Sequence, residues 1–181
     1  MKKIIFFCIL IVSGALAAQT DTIKEANDLV EQRKYKSAFD LLEKADPENE
    51  NPDIVIMKTD IVLKYFIQSD MHVMFALKDL KRDDDIAELR KGAGSFAMNL
   101  FDPAEALSRL IKKHPKNYRL YRALGFYYNE VYNKYGSRWK IPENDIIDLF
   151  EKNYRMAYKN GVYDDWSLYG IGYAQMKKKK I

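Results

Sequence analysis

The sequence predicts an all-α protein in which paired helices follow one another along the chain. Apolar residues recur with the 3.6-residue period of amphipathic helices over most of the chain after residue 18. Glycine and proline, which punctuate loop-rich β proteins, number only 8 and 5 in 181 residues. The sequence also repeats itself at a spacing of 34 residues, and fixed periods of about 20 to 50 residues are typical of stacked repeats.

The first residues have the order of a secretory signal peptide. Two lysines follow Met1, and an apolar run over residues 4–18 ends in small residues. This run of 15 residues is shorter than the roughly 20 that a helix needs to cross the hydrocarbon core. We therefore expect residues 1–18 to be removed by cleavage after Ala18 or Ala17, and the chain to be exported to the periplasm or the cell surface, or secreted. No later run approaches membrane-spanning length.

The expected mature chain has no cysteine and little net charge. Cys8, the single cysteine, lies inside the apolar run of the leader, so disulfides and thiol chemistry are not expected after cleavage. Loss of the two leader lysines lowers the net charge from +4 to +2. Basic and acidic residues are interleaved except at residues 177–180, which argues against a nucleic-acid partner. We expect residues 178–181 to form a solvated basic tail.

The periodicity and its breaks predict nine helices. Asp102 and Pro103 are typical of an N-cap and the first helical position. The run Asp83 to Asp85 lacks the oxygen spacing and the glycine of a calcium loop, and it is predicted to cap a helix that begins near Ile86. The predicted spans are 21–33, 35–45, 53–67, 70–81, 85–100, 103–113, 117–135, 143–159 and 164–177.

The internal repeat is clearest between the first and third of three blocks that begin at residues 19, 53 and 87. In both, an alanine and a proline lie nine residues apart: Ala38 with Pro47, and Ala106 with Pro115. Two later blocks each show an aromatic residue, then glycine at +4 and tyrosine at +7, all on one helical face. These residues are Tyr121, Leu124, Gly125 and Tyr128, and Trp166, Tyr169, Gly170 and Tyr173.

In these positions residues 19–177 resemble the tetratricopeptide repeat, a 34-residue pair of antiparallel helices. The resemblance implies a right-handed superhelix of about four and a half helical hairpins. The second repeat departs from the pattern, because Asp60 and His72 stand where small residues are usual; we expect them to form a hydrogen-bonded pair. The fourth repeat carries about eleven extra residues over 133–143, and the fifth has only one helix, which is expected to close the stack.

The aromatic residues are assigned by the same repeat positions. Six are expected to pack helix against helix: Tyr121, Tyr128, Tyr154, Trp166, Tyr169 and Tyr173. Tyr132, Tyr135 and Trp139 lie in or beside the 133–143 insertion, where the repeat does not require them, so they are the aromatics most free to face a partner.

No catalytic, cofactor or metal site is predicted. Residues 92–97 fit the pattern G-x-G-x-x-A, but the preceding residues are charged and amphipathic rather than a buried strand. The two histidines, His72 and His114, have no zinc-ligand spacing. The serines and carboxylates show no catalytic context.

The resemblance instead implies a protein or peptide partner bound in the concave surface of the superhelix, where the first helix of each repeat points inward. Four cations and several apolar groups among these positions favour a segment with both carboxylates and hydrophobic side chains. Two alternatives remain: an envelope assembly factor that uses the convex face or the insertion, and a carbohydrate-binding module. The predicted partner-binding residues are Met57, Ile61, Lys64, Tyr65, Lys91, Ser95, Met98, Asn99, Arg119, Arg122, Phe126 and Asn129.

Overall fold

The computed structural model describes residues 21–68, 73–92 and 96–179, so the predicted leader lies outside the described residues. The described chain is mostly helical, as the sequence predicts. In chain order its elements are α1 (21–31), α2 (Tyr35–Ala45), α3 (Pro52–Tyr65), β1 (Met74–Ala76), α4 (Ile86–Lys91), β2 (Met98–Leu100), α5 (Pro103–Lys113), α6 (Tyr118–Tyr135), a 3-10 turn (Gly136–Arg138), α7 (Glu143–Lys159) and α8 (Asp165–Lys178).

Capping residues explain where several of these helices begin. The side chain of Asn51 accepts hydrogen bonds from the backbone N–H groups of Asp53 and Ile54 at the start of α3. Asp102 does the same for the N–H of Glu105 in α5, at 3.0 Å. At α8, Asp164 and Ser167 form a reciprocal capping box. These local signals fix the N-terminal ends of α3, α5 and α8.

Two predicted helices are wrong. The span 70–81 contains β1, and the span 85–100 contains the short helix α4 followed by β2; the two strands pair antiparallel, with Met74 opposite Leu100. The predicted cap is present, because Asp85 accepts a hydrogen bond from the N–H of Ala87. The helix stops at Gly92, where glycine is unfavourable for continuation. Short apolar runs fit a helix or a buried strand equally well by periodicity.

Because α4 and the two strands stand where longer helices were predicted, the second and third predicted hairpins do not form. Helix α3 packs instead against α5, the second helix of the third block. Arg109, near the end of α5, donates to the carbonyl of Asn49 at 3.1 Å, and Lys113 pairs with Glu50. The C-terminal end of α5 therefore lies at the N-terminal end of α3, so these two helices form one antiparallel hairpin with residues 66–102 inserted between them.

Helices α3, α6 and α8 lie side by side and run in the same direction. Arg119 at the start of α6 pairs with Asp53 at the start of α3, whereas Lys134 near the end of α6 donates to the carbonyl of Leu63 near the end of α3. Likewise, the hydroxyls of Tyr132 and Tyr173 lie 2.6 Å apart near the ends of α6 and α8. Helix α5 packs against α3 and α6, and α7 packs against α6 and α8.

The aromatic assignments are partly wrong. Tyr154 is buried, but Trp166 and Tyr169 are 62% and 61% exposed. Conversely, Trp139, predicted to be free for a partner, is buried, and its ring packs on those of Tyr127 and Tyr135. The reason is positional. The 3-10 turn brings Trp139, in the insertion over residues 133–143, back against α6. No further helix of the described chain covers the outer face of α8.

Candidate functional site

A cleft opens between α1, α3 and α6 with a volume of about 360 Å³. Asp53, Met57 and Asp60 are spaced by four and three residues on α3, so they share one face of that helix. Arg119 approaches them from α6. The lining residues are Ile23, Asn27, Asp53, Ile56, Met57, Asp60 and Arg119. The structure thus brings together Met57 and Arg119, two of the residues predicted to bind a partner.

All four predicted cations form ion pairs within the chain. The four cations that were expected to meet carboxylates of a partner are therefore each already paired with an acidic residue of the chain. The pairs are Lys64 with Asp60 at 3.0 Å, Lys91 with Glu88 at 2.6 Å, Arg119 with Asp53 at 2.6 Å, and Arg122 with Asp164 at 2.5 Å.

The two arginine pairs differ in how easily they can open. The side chains of Arg119 and Asp53 are 59% and 45% exposed. An exposed pair of this kind contributes about 0 to 1 kcal/mol, so a ligand can exchange with Asp53 at little cost. Arg122 is less exposed and donates from both Nε and Nη2 to Asp164, the N-cap residue of α8. Arg119 is thus available for binding, whereas Arg122 holds α8 on α6.

Hydrogen bonding at Asp164 overcomes its partial burial. Burial disfavours the charged carboxylate, but the backbone N–H of Ser167 and the guanidinium of Arg122 favour it, and together they hold the pKa of Asp164 below its ordinary value. The carboxylate therefore stays charged at neutral pH, and it serves the helix cap and the arginine at the same time.

Two buried polar atoms near this surface have no hydrogen-bond partner among the described residues. They are Oδ1 of Asp60 and the hydroxyl of Tyr154. Burial raises the pKa of Tyr154 above its ordinary value, and the negative charges of Asp164 and Asp60 raise it further. The predicted pairing of Asp60 with His72 falls on residues 69–72, which lie outside the described part. Asp60 itself lines the cleft, where its Oδ2 pairs with Lys64.

Several predicted binding residues belong to the core instead. Ile61 is 2% exposed, and Phe126 and Asn129 are 7% exposed. The half-buried ring of Tyr65 stacks on Tyr35 at 4.1 Å between ring centroids. These positions were transferred from a regular superhelix, in which they point inward. Here neighbouring helices cover them.

The residues predicted from the third block lie on other elements. Met98 and Asn99 are in β2, where Nδ2 of Asn99 donates to the carbonyl of Phe75. Lys91 is on α4 and does not line the cleft. Ser95 lies outside the described residues. Because the helix of this block ends at Lys91 and β2 begins at Met98, Lys91, Met98 and Asn99 do not share one helical face.

The contributions of α1 and of Asp53 to the cleft were not predicted from the sequence. Ile23 and Asn27 line the cleft, and Asp53 supplies the partner of Arg119. Nothing in the first block alone indicates that α1 faces α6. The spacing of Asp53, Met57 and Asp60 on one helical face was the signal that could have identified the acidic side of the cleft.

Comparisons with protein-family models, with curated proteins and with solved structures find no match for this chain. Within the described ranges, no three or more His, Cys, Asp and Glu side chains are grouped so that they could hold a metal ion. In the same ranges, no helix is both long and apolar enough to cross a membrane.

Proposed function

We propose that this chain is a non-enzymatic interaction scaffold that binds an extended segment of a protein partner in the cleft between α1, α3 and α6. The observation that carries the proposal is the composition of that cleft. It combines an apolar floor of Ile23, Ile56 and Met57 with the exposed Arg119 and the carboxylates of Asp53 and Asp60. Such a surface can contact the apolar side chains, the acidic side chains and the backbone groups of a peptide.

Donor and acceptor chemistry predicts which group of a bound peptide each cleft residue contacts. Arg119 donates, so it suits a carboxylate or a backbone carbonyl of the partner. The carboxylates of Asp53 and Asp60 accept, so they suit a backbone N–H of the partner. Met57 lies between them on α3 and provides a flexible apolar contact. The partner segment is thus expected to be extended and to carry apolar side chains beside an acidic one.

We further propose that the helices form a solenoid of the tetratricopeptide type with a revised number of hairpins. Helices α1 and α2, α3 and α5, and α6 and α7 make three hairpins, and α8 stands alone at the end. The parallel course of α3, α6 and α8 supports this arrangement, as do the two glycines that flank Tyr154, Gly125 on α6 and Gly170 on α8.

We place the protein in the cell envelope or outside the cell. The support is the order of charge, apolar run and small residues over residues 1–18. Comparing the mass of the protein from its own cells with the mass of the full chain tests the placement. Loss of about eighteen N-terminal residues supports it, whereas a full-length chain recovered from the cytosol contradicts it.

The binding proposal is tested with a displayed library of random peptides selected on the purified protein. Arg119→Glu is expected to weaken binding of a selected peptide by about tenfold or more, because an attraction becomes a repulsion. Asp53→Ala is expected to strengthen binding of an acidic peptide, since it releases Arg119 from its internal pair.

The matched control is Lys152→Glu, a charge reversal of the same kind at an exposed site on α7, away from the cleft. It is expected to leave affinity unchanged. If no peptide is selected, or if Arg119→Glu and Asp53→Ala both bind as the unmodified chain does, the cleft is not the binding site.

A further inference from the structure

The outer face of α8 carries an unusual concentration of exposed apolar side chains. Eight large hydrophobic residues of the described ranges are exposed, and four of them, Trp166, Leu168, Tyr169 and Met176, lie on this one helix. Helices α6 and α7 contact its other side, through Ser167, Gly170 and Ala174. The free face is therefore apolar where an ordinary solvent-exposed face would be polar.

The residues of this face have the spacing of a helix–helix seam. Asp165, Tyr169, Gly172 and Met176 are separated by four, three and four residues, which places them along one line of the helix. We call this line the α8 seam. Trp166 and Tyr173 flank it, and the rings of Tyr169 and Tyr173 stack at 6.2 Å between centroids.

Gly172, in the middle of the seam, has no packing role among the residues that the structure describes. A β-carbon at this position would meet no atom within 4 Å. Glycine inside a helix costs about 0.5 to 1 kcal/mol relative to alanine, so its presence here is unfavourable for the isolated chain. A glycine on an apolar helical face does, however, allow the backbone of a second helix to approach closely.

We infer that two copies of this chain associate through an antiparallel pairing of their α8 seams about a twofold axis near Gly172. Charge complementarity selects a second copy as the occupant. With Gly172 on the axis, Asp165 of each copy faces Lys179 of the other, and both residues are exposed. Met176 of each copy then meets Leu168 and Tyr169 of the other, so the apolar side chains cover one another.

The helix dipoles favour the same orientation. The acidic N-terminal end of each α8 lies against the basic C-terminal end of its neighbour, whereas a parallel pairing would bring Asp165 against Asp165 and Lys179 against Lys179. Because the pairing is symmetric, both contacts occur twice in the dimer. This association uses α8 alone and is independent of the α1–α3–α6 cleft.

A charge-swap experiment tests both the association and its orientation. In sedimentation of the full chain, Asp165→Lys and Lys179→Asp are each expected to raise the dimer dissociation constant by about tenfold, because two attractive contacts become repulsive. An equimolar mixture of the two variants is expected to recover the original affinity. One variant is then basic at both ends of α8 and the other is acidic at both, so every end-to-end contact in the mixed dimer is attractive.

Tyr169→Glu and Met176→Glu are expected to abolish the dimer while leaving the helical circular dichroism unchanged, because both side chains are exposed. Lys152→Asp on α7 serves as the control and is expected to dimerise normally. A chain that is monomeric at about 100 µM overturns the inference. A mixture of swapped variants that fails to recover affinity overturns the antiparallel pairing. Association through the apolar segment 4–18 would not explain a recovery of dimer affinity in the mixture, because this segment is the same in both variants.

Discussion

The ring of Tyr154 on α7 occupies the space in which a β-carbon at residue 125 of α6 would stand. Such a carbon would lie 2.6 Å from Cδ1 of Tyr154. On the opposite side of the ring system, a β-carbon at Gly170 of α8 would lie 2.7 Å from Cε2. One buried tyrosine thus joins α6, α7 and α8, and it requires glycine on both neighbouring helices.

Adding a methyl group at either glycine is expected to destabilise the fold. Gly125→Ala and Gly170→Ala should each lower the free energy of unfolding by about 1 to 3 kcal/mol, since overpacking outweighs the better helix propensity of alanine. Urea denaturation measures the change. Gly172→Ala is the matched control, because it adds the same group in open space. At a concentration where the chain is monomeric, the free energy of unfolding of this control should rise by up to about 1 kcal/mol. A Gly125→Ala variant as stable as the unmodified chain would contradict the arrangement.

Removing the hydroxyl of Tyr154 is expected to leave stability unchanged or to raise it by about 1 kcal/mol. The hydroxyl is buried without a hydrogen-bond partner among the described residues, so Tyr154→Phe removes a desolvated polar group and keeps the ring. Thermal or urea unfolding measures the effect. A loss of more than about 1 kcal/mol would show that the hydroxyl makes a favourable contact in solution.

Helix α3 contains a buried lysine whose charge is balanced from other segments. Lys58 is fully buried; it pairs with Glu43 of α2, donates to Oδ1 of Asn49 at 2.6 Å, and lies over the ring of Phe101 at 4.6 Å. Removing only the acid leaves a buried cation with less compensation, so Glu43→Ala should cost about 2 kcal/mol.

Lys58→Met keeps the apolar stem and removes the charge, and its cost should stay below about 1.5 kcal/mol. Midpoints of urea denaturation for the two variants give the comparison. The reverse order of stability would mean that the cation contributes favourably by itself and that its pairing with Glu43 is secondary.

Alkaline pH is expected to unfold this protein through its buried tyrosines. Burial raises the pKa of Tyr127 and of Tyr154 well above the ordinary value, and partial burial together with the hydrogen bond to Tyr173 raises the pKa of Tyr132 to about 12. In the unfolded chain these groups ionise near pH 10, whereas the folded chain retains their protons. The folded state therefore binds more protons, and its stability is complete below about pH 10 and falls as pH rises further.

The contribution of one tyrosine is separable by mutation. Tyr127→Phe should make the loss of stability above about pH 10 less steep by up to about 1.4 kcal/mol per pH unit, because one titrating group is removed. Denaturant unfolding at several pH values between about 8 and 11.5 measures the slope. An unchanged slope would show that Tyr127 ionises as easily in the folded chain as in the unfolded one.

Local signals were sufficient for three helices. The bounds 35–45, 103–113 and 143–159 were predicted as observed, and for 103–113 the pair Asp102 and Pro103 marks the start. The region from residue 70 to 100 failed because its short apolar runs fit strand and helix alike, and pairing between Met74 and Leu100 decides the outcome. That pairing is a long-range contact that no local pattern contains.

The candidate site was predicted in part for a similar reason. Met57 and Arg119 each follow from a position within a repeat, and both line the cleft. The positions on β2 failed because the register of 34 residues is interrupted there. Trp166 was predicted to pack against a helix and Trp139 to be free for a partner, but Trp166 is exposed and Trp139 is buried. The repeat pattern identifies a packed face only where a neighbouring helix covers it.

The insertion between α3 and α5 also has a consequence for the order of folding. Thirty-seven residues separate these partner helices, whereas four separate α5 from α6. Closing the longer loop costs about 2 kcal/mol more in chain entropy. The segment from α5 to α8, whose contacts are mostly between neighbours in sequence, is therefore expected to assemble first. Helix α3 would then add to a preformed surface, long after it has left the ribosome.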